Sequence, residues 1–266
     1  MISKELVNKY HEDGFLLLNS VFSPEEIQAM NQELPFLMED DGPRKVKEKN
    51  GEIRSYYGVH QVNSLYKHTA CDARLIEPIM QLLESEIYIY QTKINFKKGL
   101  KGEWWEWHQD YPYWKIEDGM PTPRVLSAMI YLDDVTEFNG PLMVIPGSHK
   151  EGIAAFNKDP NAIQNNSSDE ESWTGSNLKF TINQKLLEKG FIENNIVSTT
   201  GKAGSVLLFH GNIYHGSNCN MSPIDRKTLI VTYNSTENVL TETKTKRPEF
   251  LSERNMTPIL VEHATI

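Results

Sequence analysis

Trp104-Trp105-Glu106-Trp107-His108-Gln109-Asp110-Tyr111 decides how this chain is read. Its aromatic run favours an extended strand. Successive side chains of a strand point to opposite faces, so His108 and Asp110 are predicted on one face. Trp104 and Glu106 fall beside them, and Trp105 and Trp107 fall on the other face. One imidazole and one carboxylate on a common face can reach one metal ion. A second imidazole from elsewhere completes a two-His, one-carboxylate triad with open positions, the donor set of non-haem Fe(II) oxygenases.

His-x-Asp alone is a weak motif, and the chain offers rivals. His11-Glu12-Asp13 sits on a predicted helix, where residues two apart do not face each other. His149-x-Glu151 follows the Pro146-Gly147-Ser148 turn and reads as a loop anchor. His210 and His215 compete for the second imidazole. The reading favours His215, whose inward face also carries Ser217, and leaves His210 as a group behind the ligands. Arg226 follows His215 by eleven residues and opens an apolar strand. Its planar fork suits a carboxylate; a surface charge beside Lys227 is the competing reading. Alternation puts Arg226, Thr228 and Ile230 on one face and Lys227, Leu229, Val231 and Tyr233 on the other. Of Trp104, Trp105, Trp107 and Trp114, one or two can wall a small-molecule pocket and the others are packing.

Outward from this stretch, the N-terminal third reads as helical. Ser3 caps a helix over residues 3 to 13, stopped by Gly14. Phe15 to Leu18 is a short buried strand. Ser23-Pro24-Glu25-Glu26 is a capping box with proline at the first helical position, and that helix is expected to end or kink near Pro35. The charged residues 39 to 55 read as a mobile loop. Asp72 caps a helix whose apolar stripe is Leu75, Ile76, Ile79, Leu82 and Leu83. From Ile87 the pattern turns to β. Ile87 to Lys97 alternates, with Ile87, Ile89, Gln91, Lys93 and Asn95 on one face. Further strands are predicted over Arg124 to Leu132, Leu142 to Ile145, Ser205 to Phe209, Tyr214 to Ser217 and Lys227 to Asn234. Residues 157 to 177 are polar and read as a lid or a disordered insert. Thr181-x-x-Gln184 is expected to cap a short helix ending at Gly190. Helices followed by many short strands predict a mostly β fold: a double-stranded β-helix (jelly roll, cupin-like) core with N-terminal helices.

At 266 residues, with 39% hydrophobic and 24% charged content, the chain reads as one soluble domain over residues 1–266. A net charge of −9 argues against a nucleic-acid partner, which needs a basic face. No apolar run reaches transmembrane length, so no membrane partner is expected. Two distant cysteines, Cys71 and Cys219, suit a reducing compartment, and the expected location is cytoplasmic.

The chain resembles the phytanoyl-CoA dioxygenase-like branch of the Fe(II)/2-oxoglutarate oxygenases. The resemblance runs from Tyr10 almost to the C-terminus. It is carried by Gln91–Asn95, Trp107–Tyr111, Glu117–Met120, Asn139–Leu142, Ile145–His149, His215–Ser217, Asn220–Pro223 and Arg247–Leu251. Within the branch the chain is similar first to bacterial trans-4-proline hydroxylase and then to ectoine hydroxylase. Gln109 stands where the ectoine pattern has serine, and Tyr111-Pro112-Tyr113 where it has Phe-Glu-Thr; Gln109 and Tyr111 meet the proline pattern. The resemblance implies His108, Asp110 and His215 as iron ligands. It implies Arg226, with Ser217, Asn95 and Trp105, around 2-oxoglutarate, and Gln91, Trp114 and Phe209 near the substrate. The implied cofactors are Fe(II), 2-oxoglutarate and O2. The implied reaction hydroxylates a small free amino acid, with L-proline or a related cyclic imino acid expected first and an ectoine-type substrate second. Two rivals come from other classes. A metal-dependent hydrolase would use Glu106 as its base and would give Arg226 no role. A jelly-roll binding module would need no chemistry from the triad.

Overall fold

The computed structural model describes residues 1–157, 178–244 and 246–261. The expected lid, Asn157 apart, lies outside the described residues. Helix α1 (Lys4–Asp13) leads into β1 (Phe15–Leu18) and α2 (Pro24–Met38). The hairpin β2 (Lys45–Lys47) and β3 (Ile53–Tyr57) follows, then α3 (Val59–Val62), α4 (Ser64–Ala70) and α5 (Ala73–Leu83). The β region runs β4 (Ile87–Lys97), β5 (Trp105–His108), α6 (Tyr111–Asp118), β6 (Val125–Tyr131) and β7 (Leu142–Ile145). It closes with α7 (Gln184–Asn194), β8 (Val197–Ser198), β9 (Val206–His210), β10 (Tyr214–Ser217) and β11 (Arg226–Ser235).

All strand pairs are antiparallel. They build a seven-stranded sheet in the order β1-β9-β6-β11-β4-β3-β2 and a four-stranded sheet in the order β5-β10-β7-β8. This is the expected jelly roll with its helical layer. Leu229, Val231 and Tyr233 turn one face of the large sheet onto the α5 stripe of Leu75, Ile76, Ile79, Leu82 and Leu83. The other face meets the small sheet through Met129, Leu207, Phe209 and Ile230 against Val144. Burying both faces of a central sheet supplies the main hydrophobic drive.

Local signals placed the N-terminal elements. Ser23 Oγ accepts from Glu26 N while the Glu26 carboxylate accepts from Ser23 N, a complete capping box. Gly14 stops α1 at φ 81°, and a Cβ there would lie 2.4 Å from His149 Nδ1. His149 thus anchors the loop as expected, and its Nε2 lies 3.3 Å from the His11 carbonyl. Gly14→Ala is expected to cost about 2 kcal/mol or more, left-handed strain plus clash. Gly51, at φ 86° with open space around it, carries the strain alone, so Gly51→Ala should cost about 1 kcal/mol. Urea unfolding of the two variants checks the difference.

Several expectations need correction. Helix α2 continues through Pro35 to Met38. The lost N–H forfeits one bond near the helix end, while buried Leu34 and Leu37 hold the last turn on the core. The supposed loop 39–55 contains most of the β2–β3 hairpin, hydrogen-bonded to β4 as the edge of the large sheet. Its charges are those of an edge strand, which masked the pattern. Asn183, not Thr181, caps α7 by accepting from Lys185 N, and the helix passes Gly190 to Asn194. In β4 the faces do not alternate throughout. Ile89 and Gln91 oppose the adjacent residues Tyr233 and Thr232, leaving Tyr90 as the extra residue of a bulge. Ile87 and Ile89 therefore join the helical core, whereas Gln91, Lys93 and Asn95 face between the sheets.

Candidate active site

β5 and β10 pair side by side, with His108 directly opposite His215. Their ring centroids are 4.1 Å apart. Asp110 is not on the strand as expected. β5 ends at His108, and Asp110 is the N-cap residue of α6 at φ −76°, ψ −40°. Its carboxylate makes no capping hydrogen bond, although aspartate is a favoured cap. It turns instead to the imidazoles: Asp110 Oδ1 is 3.7 Å from His108 Nε2 and 3.9 Å from His215 Nε2. One donor atom from each residue lies within 4.8 Å of the others.

Backbone carbonyls set the tautomers. His108 Nδ1 lies 2.6 Å from Glu106 O, and His215 Nδ1 lies 3.0 Å from Ile213 O. A carbonyl only accepts, so each Nδ1 carries the proton and each Nε2 presents its lone pair to the cluster. Burial, reinforced by His215, pushes His108 down to about 3. Burial likewise lowers His215. Burial works to raise the Asp110 carboxyl, but Lys93, His215 and His108 together hold it below the ordinary range. Two neutral imidazoles and one carboxylate, all ready to donate, fit a divalent iron with open positions.

The cluster lies at the junction of two cavity lobes that share Lys93, Trp105, His108 and Asp110. The first lobe continues past His215 to Asn95, Ser217, Phe209 and Arg226. Arg226 is buried; its fork donates to Gly140 O and, at 3.3 Å, to Thr228 Oγ1, and its Nε has no partner among the described residues. No carboxylate pairs with it among the described residues, so this is not the surface charge of the competing reading. Burial pushes it down to about 10. Asn95 accepts from Ser55 Oγ at 2.7 Å, which leaves its NH2 to donate. An unpaired buried guanidinium with amide and hydroxyl neighbours fits an anion such as the far carboxylate of 2-oxoglutarate.

The second lobe holds Gln91, Trp114, Tyr57, Tyr113 and Arg247. Gln91 donates to Leu251 O at 2.6 Å. Arg247 is clamped by Asp118 and Tyr90. All the residues that the resemblance implies line one lobe or the other, although Phe209 falls in the Arg226 lobe. Sequence reasoning missed Lys93, Tyr113 and Arg247. Lys93 alternates with Gln91 and Asn95, and that spacing could have found it; Arg247 opened one of the segments carrying the resemblance.

Other expectations fail on geometry. On β5 Trp105 lies three positions from His108, whereas their partners on β10 lie two positions apart. This bulge turns Trp105 into the cavity, stacked at 6.3 Å on His108, and leaves Trp104 exposed. Trp107 packs against Ile145 and Tyr214. Glu106 lines neither lobe, so a hydrolase would lack its proposed base. His210 accepts from Asn212 N and meets His149 at 5.1 Å, giving it a partner on the α1 side. Gln109 is buried, donating to Gly152 O and Asn212 O and accepting from Ala154 N. Tyr111 donates to Pro121 O. These two positions, which favoured the proline pattern, are spent on structure and line neither lobe.

Comparison with known proteins agrees with this geometry. An ectoine dioxygenase of Bordetella bronchiseptica is 36% identical over 261 residues, covering 95% of this chain and 83% of its own. One from Nocardia farcinica is 33% identical, covering 97% and 87%. The crystal structure of EctD from S. alaskensis with 2-oxoglutarate and 5-hydroxyectoine superposes with a TM-score of 0.83 at 33% identity, covering 99% of this chain and 88% of that one. These relatives are named for ectoine and not for proline. The phytanoyl-CoA dioxygenase model matches residues 10–228, and the chain belongs to the phytanoyl-CoA dioxygenase family.

Proposed function

We propose that the protein is an Fe(II)- and 2-oxoglutarate-dependent dioxygenase that hydroxylates ectoine or a close cyclic analogue. The observation that carries this reading is one donor triad at the junction of two lobes. One lobe ends on a buried, unpaired Arg226, and the other is walled by aromatics and reached by cations. His108, Asp110 and His215 would hold the iron. Iron with 2-oxoglutarate and O2 supplies the oxidising power for the C–H bond, with succinate and CO2 as co-products. The chain's own residues bind, orient and exclude water. Arg226 would hold the far carboxylate of 2-oxoglutarate, with Ser217 and the Asn95 amide as neighbouring donors and Trp105 as a wall of the same lobe.

The second lobe suits a small, flat, charged ring. Trp114 and Tyr113 offer faces, and Gln91 its side-chain carbonyl. Lys93, whose side chain makes no hydrogen bond or ion pair among the described residues, and the clamped Arg247 supply positive charge for a carboxylate. Ectoine carries a carboxylate and a cationic amidine on one ring, and the free side-chain oxygen of Gln91 would suit the amidine. A cytoplasmic location goes with this reading. Among the described residues no helix is long and apolar enough to cross a membrane, and no disulfide joins Cys71 and Cys219.

Succinate release from 2-oxoglutarate, followed across ectoine, L-proline and pipecolate with mass analysis for one added oxygen atom, tests the proposal. Ectoine is expected to exceed proline in kcat/KM by about 100-fold or more, since a site built for polar groups rejects analogues that lack them. Preference for proline would overturn the ectoine reading and leave the dioxygenase standing. Oxygen-independent turnover would overturn both.

A further inference from the structure

The β2–β3 hairpin, at the edge of the large sheet, sends two buried charges across to the first strand of the small sheet. Arg54 on β3 and Glu48 in the turn are almost fully buried and paired, Arg54 Nη1 to Glu48 Oε1 at 3.3 Å. The Glu48 carboxylate accepts from Glu103 N at 3.1 Å. Arg54 Nη2 donates to Trp104 O at 3.3 Å. The guanidinium carbon then lies 3.5 Å from the centroid of the Trp105 ring. One ion pair thus holds the backbone on the approach to Trp105 and the indole itself. That indole is a shared wall of both lobes and stacks on His108.

A buried ion pair is costly to desolvate, and an apolar replacement is often as stable. Its worth here lies in placement. A flat cation on an aromatic face is a directional contact, worth most where water is excluded. Arg54 Nε has no hydrogen-bond partner among the described residues, so the guanidinium gives up a donor to lie against the ring. Lysine would keep the charge but could neither stack flat nor bridge Glu48 and Trp104.

We propose that Arg54 is a positioning residue: stacked on Trp105 and anchored by Glu48, it fixes the indole that walls 2-oxoglutarate beside the triad. The inference rests on the functional reading above, which puts 2-oxoglutarate in the Arg226 lobe. The test is a double-mutant cycle of wild type, Arg54→Met, Trp105→Leu and the double variant. Each ferrous enzyme is titrated with 2-oxoglutarate by calorimetry under nitrogen. Arg54→Met is expected to weaken binding about tenfold when Trp105 is present and less than about twofold when it is absent. Arg54→Lys, which keeps the buried charge, should show most of the same loss and replaces Arg54→Met in the cycle if that variant does not fold. Equal losses in both backgrounds, or no loss with Trp105 present, would overturn the inference alone. A wild-type enzyme that does not bind 2-oxoglutarate would overturn the functional reading and this inference with it.

Discussion

Asp110→Ala is expected to leave the protein folded, without bound iron and without turnover. Asp110 supplies the only negative charge of the donor set; His108 and His215 are held neutral by burial. Two neutral imidazoles cannot offset the charge of a divalent ion in a buried site. The loss should exceed the roughly 100-fold that removing a mere supporting group costs a metal site. The fold should tolerate the change. The Asp110 carboxylate makes no capping bond, and burial works against it where Lys93 and the imidazoles work for it, so its net worth to the metal-free fold is small. The metal-free variant should therefore melt close to metal-free wild type. Iron content after anaerobic loading and desalting, measured beside the two melting curves, decides the matter. Stoichiometric iron in the variant would remove Asp110 from the ligand set. A large fall in melting temperature would make it a structural residue.

The triad was legible in the sequence for a reason partly different from the true one. His108 and Asp110 were paired by strand alternation, yet the strand stops at His108 and a helix begins at Tyr111. The two side chains meet because the chain turns between them, with Gln109 pinned to three backbone groups. Signals that act within a few residues were readable: the Ser23 capping box, the Gly14 stop, the α5 stripe and the limits of β4 and β7. What escaped was set by distant partners. The bulge at Tyr90 exists because β4 must serve β11 with one residue too many, and no feature of Tyr88-Ile89-Tyr90-Gln91 announces it. The bulge in β5, likewise, is decided by β10. Trp105 was assigned to the cofactor pocket by resemblance, while alternation placed it on the wrong face. The β2–β3 hairpin was lost because edge strands are charged. With it went Arg54 and Glu48, residues of a supposed loop that are among the most buried charges of the fold.

Arg226 should behave in the opposite way from an ordinary buried residue, and this gives the second large effect. Its guanidinium is 4% exposed with no carboxylate partner among the described residues, and burial pushes it down to about 10. The ligand-free protein therefore bears the cost of a desolvated cation that a bound dianion would relieve. Truncating one partner of a buried, hydrogen-bonded charge pair costs about 2–5 kcal/mol, so Arg226→Met should raise the KM for 2-oxoglutarate by about 10²–10³-fold. The ligand-free protein should lose little stability, because the penalty of the unpaired charge disappears along with the bonds to Gly140 and Thr228. Arg226→Lys should fall between, near 10–100-fold, since an ammonium cannot hold Gly140 O and a two-pronged carboxylate together. Ligand-induced melting shifts separate the cases. Excess 2-oxoglutarate with iron under nitrogen should raise the melting temperature of wild type and leave Arg226→Met unmoved, because stabilisation by a ligand follows the ratio of its concentration to its dissociation constant. An unchanged KM in Arg226→Met would place the far carboxylate elsewhere, with Lys93 as the remaining unpaired cation at the triad. Arg226→Met together with Lys93→Met would then carry the loss that Arg226→Met alone did not.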